Sequence, residues 1–221
     1  DMIFNSFQFL WLFPIVFICY YAISYLFQKK SLGKGSNYLL LLLSYGLYMQ
    51  FVPWCTLVLL WVTLVTYSIA LFMSKNVLYN KNVLYKRIIC WSGVILGILP
   101  LVIFKYYNFF ADNINELLAS NQLPGLNWAI PIGISFFSFQ AIGYLADVYK
   151  GRISAEKNFW DYALFVSFFP QIMSGPISKA SELLPQIKSQ RVFDYSKAIQ
   201  GLKLLLWGMF LKTVMTNKLS L

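Results

Sequence analysis

The sequence predicts an all-α polytopic membrane protein with about six to seven membrane-embedded helices, including a bent or re-entrant segment. Composition is the first reason, because 59% of the residues are hydrophobic and 12% are charged. A soluble domain has about 45–50% apolar and about 25% charged residues. Spacing is the second reason: apolar runs of bilayer-spanning length recur along the chain, and a short polar or basic segment follows each of them.

The first four helices follow from these runs and from what interrupts them. Residues 7–27 can span the bilayer as one helix. Residues 38–52 and 54–73 are separated by Pro53, which lacks an amide proton and disfavours helical geometry in the residue before it. We therefore expect a tight membrane hairpin there, followed by a fourth helix over residues 88–110.

The later segments are less regular. Residues 128–149 form the fifth predicted helix, and residues 199–215 form the last apolar stretch. Between them, the apolar run 159–177 contains three helix breakers, Pro170, Gly175 and Pro176. A full crossing of this run would carry the basic residues that follow it to the outside. We therefore expect a bent or re-entrant segment whose broken backbone bonds are satisfied by surrounding protein.

The net charge of +10 comes from 18 Lys and Arg against 8 Asp and Glu, and most of it lies in loops. Basic residues concentrate in 28–37, 74–87 and 150–157, whereas the loop 112–126 has none. This is the positive-inside pattern, and it predicts an extracytoplasmic N-terminus. We expect membrane lipid, and no nucleic acid, as the partner of this charge.

The residues that could carry chemistry are few. The chain has no histidine, so a histidine-dependent nucleophile or general base cannot be completed within it. The three cysteines have no CxxC or metal-ligand spacing, and no metal site is predicted. Lys105 lies inside an apolar run, where it either snorkels to the interface, pairs with a buried carboxylate or faces a substrate passage.

Polar side chains at membrane depth form another set of candidates. A polar track could be lined by Ser135, Ser138, Gln140 and Tyr144, with Asp147 near the inner headgroups. A polar group in a membrane segment usually faces the bundle interior or a cavity, which makes it a functional candidate. Such groups also form hydrogen bonds between helices. The residues alone leave both interpretations open.

Two longer stretches are similar to a known family. Residues 131–151 read PIGISFFSFQAIGYLADVYKG, and residues 168–177 read FFPQIMSGPI. Both resemble the signature region of the membrane-bound O-acyltransferase family, in the branch of the alginate and peptidoglycan O-acetyltransferases. The run FKYYNFF at 104–110 also matches. The resemblance covers nearly all of the chain.

The resemblance implies a bundle of membrane helices around a passage, in a multi-pass protein of the bacterial inner membrane. An acyl group, acetyl by resemblance, would move from acetyl-CoA or an acyl carrier in the cytoplasm towards an extracytoplasmic polysaccharide or cell-wall hydroxyl. No bound cofactor is expected, and a separate extracytoplasmic transferase is the expected partner. The family's catalytic histidine is expected beyond Leu221, so residues 1–221 would be the N-terminal half of the enzyme and inactive alone.

Within such an enzyme, the residues expected to line the passage are Gln140, Tyr144, Gln171 and Ser174. The bent segment is expected to be shaped by Pro170, Gly175 and Pro176. Two other functions stay open at this point. One is half of a transporter or flippase, because broken helices and polar residues near the bilayer midplane also mark substrate sites there. The other is a non-catalytic membrane scaffold that recruits a partner.

Overall fold

The described part of the chain is helical. The computed structural model describes residues 7–29, 35–51, 53–79, 83–117, 124–125, 130–172, 177–189, 193–211 and 214, and no strand occurs within these residues. The helices are α1 (Phe7–Lys29), α2 (Gly35–Phe51), α3 (Cys55–Tyr79), α4 (Val83–Leu101), a π-helical turn (Val102–Tyr106), α5 (Tyr107–Leu117), α6 (Ile134–Tyr149), α7 (Phe159–Ser167), α8 (Phe169–Ile172), α9 (Ala180–Lys188) and α10 (Tyr195–Phe210). The predicted all-α class is confirmed for this part of the chain.

Several helix ends differ from the predicted ones. α3 continues to Tyr79 and α4 begins at Val83, so most of the predicted loop 74–87 is helical. Hydropathy marks where a helix leaves the hydrocarbon, whereas lysine and leucine continue a helix readily beyond that point. Conversely, α6 begins at Ile134 rather than at residue 128. The chain turns first at Gly133, whose φ of 73° is left-handed.

Among the described residues, two helices are long and apolar enough to cross a membrane by length and composition, Cys55–Ser74 and Leu84–Leu117. A shorter apolar stretch covers Phe13–Tyr25. The second long helix has 34 residues, which corresponds to about 51 Å at the α-helical rise and exceeds the roughly 30 Å hydrocarbon core. The number of six to seven embedded helices stays a prediction, as does the orientation of the N-terminus.

The chain divides into two compact units, residues 1–36 with 190–221, and residues 37–189. In the first unit, the ring of Tyr21 lies edge-on to Phe17 and Phe193, with centroids 4.9 and 5.2 Å away. In the second unit, α3, α4 and α6 pack against one another, and α7 packs on α9. The fully buried side chains of this second core include Leu59, Phe137, Tyr144, Tyr162 and Phe165.

The long helix formed by α4 and α5 is interrupted near its middle. Pro100 has no N–H, so it cannot donate to the carbonyl of Leu96. The indole Nε1 of Trp61 on α3 donates to that carbonyl instead, at 3.3 Å. The π-helical turn follows directly and contains Lys105, whose side chain is exposed with Nζ 5.6 Å from the ring centroid of Tyr106. Snorkelling of Lys105 to the interface stays a prediction.

Candidate functional site

The two sequence motifs meet in a buried region between α6, α7 and α8. A Cβ added to Gly133 would lie 2.5 Å from the carbonyl oxygen of Ile172, so the turn before α6 lies directly against the backbone of α8. Only glycine combines this close approach with a φ of 73°. We call the region formed by Gly133, Gln140, Phe165, Gln171 and Ile172 the motif junction.

Gln140 is the central polar residue of the motif junction. Its side chain is 3% exposed, and Nε2 donates to the carbonyl oxygen of Phe165 at 2.7 Å and to Oε1 of Gln171 at 3.4 Å. A buried amide group is costly unless it is hydrogen-bonded. The two contacts therefore fix the position of Gln140 and connect the first motif to the second.

Gln171 continues this polar chain. Its Nε2 donates to the hydroxyl of Ser178, the second residue after the second motif's Pro176. Gln140, Gln171 and Ser178 thus form a row of neutral donors and acceptors that leads from the buried interior to a half-buried position. Amides and hydroxyls can orient a hydroxyl or a carbonyl group, but they cannot supply a general base near neutral pH.

Tyr144 lies one helical turn from Gln140 but takes part in a different set of contacts. Its side chain is fully buried, its hydroxyl accepts a hydrogen bond from the backbone N–H of Glu156 at 2.8 Å, and its ring centroid lies 4.5 Å from that of Tyr162. The hydroxyl of Tyr162 is in turn 2.7 Å from the Thr66 hydroxyl. The first contact holds α6 to the loop that follows it, and the others connect α6 to α7 and α7 to α3.

The structure therefore brings together two of the four predicted passage residues, Gln140 and Gln171. Tyr144 is placed against the loop after α6, and Ser174 lies outside the described residues, as do Gly175 and Pro176. Pro170 is the second residue of α8, where its missing N–H removes a donor that would have no intrahelical partner. The passage itself stays a prediction.

The other polar residues of α6 are distributed around the helix. Ser135 and Asp147 are half-buried, and Asp147 accepts a hydrogen bond from Arg152 at 3.3 Å. Within the described structure, the hydroxyls of Ser138 and Ser167 are buried without a hydrogen-bond partner. Each of these two hydroxyls can therefore still donate and accept hydrogen bonds in the interior between α6 and α7.

Glu156 is a buried charged residue that the sequence did not single out. Its carboxylate is 6% exposed and accepts hydrogen bonds from the N–H groups of Lys157 and Asn158, at 3.0 and 3.1 Å, and from Nζ of Lys188 at 2.7 Å. Burial alone would raise the pKa of this carboxyl, but the Lys188 ammonium and the two backbone donors together lower it below its ordinary value. The carboxylate thus fastens α9 to the loop after α6.

No signal in the sequence pointed to Glu156. The segment 150–157 reads as a solvated basic loop because it carries Lys150, Arg152 and Lys157. Glu156 becomes distinctive only when Lys188, which is 32 positions further along the chain, folds back onto it. Its burial is a tertiary property that composition does not reveal.

Comparison with known proteins gives relatives for nearly the whole chain. The probable alginate O-acetylase of Pseudomonas aeruginosa is 31% identical over 222 aligned positions, which cover 99% of this chain and 41% of that protein. The peptidoglycan O-acetyltransferase of Helicobacter pylori is 35% identical over 151 positions, 57% of this chain and 28% of that protein. The teichoic acid D-alanyltransferase of Lacticaseibacillus rhamnosus is 28% identical over 89 positions, 40% of this chain and 19% of that protein.

These similarities are with individual proteins only. No family model matches the chain, and no solved structure matches it significantly. The chain spans 41% of the length of the Pseudomonas aeruginosa relative. The resemblance carried by the two motifs is nevertheless confirmed by these relatives, and the chain belongs with the alginate and peptidoglycan O-acetyltransferases in the family of membrane-bound O-acyltransferases.

Proposed function

We propose that this chain forms part of an integral membrane O-acyltransferase, which moves an acetyl group from a cytoplasmic donor towards a hydroxyl of an extracytoplasmic polysaccharide or cell-wall polymer. The observation that carries the proposal is the 31% identity to a probable alginate O-acetylase over 99% of the chain. The peptidoglycan O-acetyltransferase among the relatives supports a cell-envelope acceptor in general. Two apolar helices of sufficient length support a place in the membrane, which we propose to be the bacterial inner membrane.

The chemical step needs a group that can activate a hydroxyl or relay an acyl group. These 221 residues contain no histidine, so in this proposal a histidine outside them acts as general base or acyl relay. Acetyl-CoA or an acyl carrier is the proposed donor. A separate extracytoplasmic transferase is the proposed partner that completes transfer to the polymer.

The part played by this half is to shape and line the passage. We propose that Gln140, Tyr144, Gln171 and Ser174 line it, and that Pro170, Gly175 and Pro176 shape the segment that bends beside it. The support is the contact between the buried amide of Gln140 and the half-buried amide of Gln171, which offers hydrogen bonds at the edge of the interior. A low-dielectric passage would also limit hydrolysis of the acyl group before transfer.

The function is tested by deleting the gene for this protein in its bacterium. Acetate that mild alkali releases from purified envelope polymers is then measured. We expect the ester content of one polymer to fall to background and to return when the complete protein is supplied again. Unchanged ester content in every polymer would contradict acyl transfer. Such a result would favour the transporter or scaffold alternatives.

The role of the site is tested separately with two glutamine variants of the complete protein. Gln171→Leu removes the amide that bonds Gln140 and Ser178, and we expect roughly a tenfold loss of ester formation because a misplaced site is strongly penalised. Gln50→Leu is the matched control, since Gln50 is exposed on α2. Equal activity of the two variants at equal protein level would contradict the proposed role of Gln171.

A further inference from the structure

The helical path between α7 and α8 is broken at a single residue. Phe168 has φ −58° and ψ 104°, which is not helical. The N–H groups of Gln171 and Ile172 then both bond to the carbonyl of Phe168, at 2.9 and 3.2 Å, so a new helical turn starts there. The second motif therefore begins with a change of direction at its first residue.

This break separates two backbone groups that would pair in a continuous helix. The N–H of Phe169 would donate to the carbonyl of Phe165, four residues earlier. In the structure, the Phe169 N–H donates instead to the hydroxyl of Ser44 on α2, at 3.3 Å, while the Phe165 carbonyl accepts from Gln140 on α6. Each orphaned group is thus satisfied by a side chain from a different helix.

Ser44 has the environment that such a role requires. It is 3% exposed and lies in the middle of α2, where the five leucines before it in the sequence LLLLLSYGLY have no polar side-chain atom. A buried backbone N–H without an acceptor costs about 1–3 kcal/mol. The hydroxyl of Ser44 therefore makes the broken conformation tolerable in an interior that lacks water.

We propose that Ser44 is a positioning residue for the candidate site: together with Gln140 it holds the break at Phe168 open, so that α8 carries Gln171 into the motif junction. The effect of Ser44 on acyl transfer rests on the proposed function, but the contact between Ser44 and Phe169 can be tested without it. Ser44 neither touches Gln171 in any described contact nor needs to meet a substrate. It acts through the backbone of α8.

The first arm of the test is hydrogen–deuterium exchange of the complete protein in lipid nanodiscs, followed over residues 165–172. Ser44→Ala removes the acceptor of the Phe169 N–H, and we expect exchange of this peptide to rise about two- to tenfold. Ser92→Ala is the matched control, because the Ser92 hydroxyl donates to Ile89 within its own helix at 2.8 Å. Equal exchange of this peptide in the two variants would overturn the proposal.

The second arm measures acetyl transfer by the same two variants in membranes with equal protein content. We expect Ser44→Ala to lower kcat roughly tenfold without a change in the KM for the donor, because the misplaced group is internal to the site. Faster exchange with an unchanged kcat would make Ser44 a structural cap only, and would also overturn the proposal. Absence of transfer by the wild-type protein would refute the proposed function, with the exchange experiment still deciding the contact.

Discussion

Helix interruptions at Pro100 and at Phe168, both in the second unit, are repaired in different surroundings. At Pro100, one carbonyl loses its helical partner, and Trp61, which is 46% exposed, donates to it over 3.3 Å. At Phe168, an N–H and a carbonyl are both released, and the buried side chains of Ser44 and Gln140 satisfy them. The first break is repaired by an exposed side chain, although Pro100 itself is buried, whereas the second lies where the two family motifs meet.

This difference indicates which break is tied to function. An interruption repaired at an exposed surface can relax when its partner is removed, because neighbouring groups can move. A buried interruption needs two dedicated side chains and a glycine, Gly133, that lets the chain approach α8. The break at Phe168 also lies beside the amides of Gln140 and Gln171, which is why we connect this break, and not the one at Pro100, with the candidate site.

The largest expected effect is at Gly133. Gly133→Ala places a Cβ 2.5 Å from the Ile172 carbonyl oxygen and keeps a φ of 73°, so we expect a loss of roughly 3 kcal/mol of stability. Gly143→Ala is the control, because Gly143 lies within α6 with open space around its added Cβ. Thermal unfolding in detergent measures both. A Gly133→Ala protein as stable as Gly143→Ala would contradict the close approach of the two motifs.

Loss of the Gln140 amide should have the next largest effect. Gln140→Leu leaves the buried Phe165 carbonyl unsatisfied and breaks the contact with Gln171, so we expect a loss of about 1–2 kcal/mol. The same unfolding assay measures it against Gln50→Leu at an exposed position. If both variants were equally stable, the Phe165 carbonyl would have another partner.

The ion pair at Glu156 should make stability depend on pH. The pKa of Glu156 is lowered in the folded protein, so its contribution is fully present above the unfolded pKa of about 4.3 and is lost as pH falls through the lower, folded value. Facing it are Lys188, Tyr144 and Tyr67. We expect Glu156→Gln to be less stable than the wild type at pH 7.

The pH dependence itself separates the buried pair from an ordinary surface pair. The difference between Glu156→Gln and wild type should shrink below about pH 4, as measured by unfolding midpoints across the pH range. Glu182→Gln is the control, because Glu182 is exposed and lies 4.0 Å from Lys179. A constant difference from pH 7 to pH 3 would show that the charge of Glu156 does not contribute.

The smallest effect is expected at the break next to Pro100, which an exposed side chain repairs. Trp61→Phe removes one hydrogen bond of 3.3 Å to the Leu96 carbonyl, and single hydrogen bonds within membranes contribute about 0.6 kcal/mol on average. Trp91→Phe at another exposed position reports the effect of ring size alone. A loss at Trp61 as large as that at Gln140 would remove the distinction between the two breaks.

Much of the fold could be predicted from the sequence because apolar runs report directly on the surrounding solvent. α2 ends at Phe51 and α3 begins at Cys55, so the interruption at Pro53 is found, whereas the tight hairpin there stays a prediction. The interruption at Pro53 and the break near Pro170 both follow from prolines, which cannot continue a helix. The helix ends could not be predicted in the same way. α3 runs on to Tyr79 through the mixed stretch SKNVLY, whose first three residues are polar but still compatible with a helix.

The site could be predicted only in part. The two motifs pointed to Gln140 and Gln171, which do meet. Ser44 lies in the apolar run 38–52, so the rule that selects Ser135 and Ser138 applies to it as well, but its partner Phe169 is 125 positions away. Glu156 likewise depends on Lys188. Contacts between residues so far apart in the sequence depend on how the helices pack. The periodicity of one sequence does not show which residue will be the partner.

The measurement that most directly tests the account is a double-mutant cycle on the stability of Ser44→Ala, Gln140→Leu and the combined variant. If these side chains hold one break open, their removal together frees the Phe169 N–H and the Phe165 carbonyl to pair with each other. We therefore predict that the double variant loses less stability than the sum of the single variants, by about 0.5 kcal/mol or more. Losses that add within about 0.3 kcal/mol would show that Ser44 and Gln140 act independently, and would contradict the account.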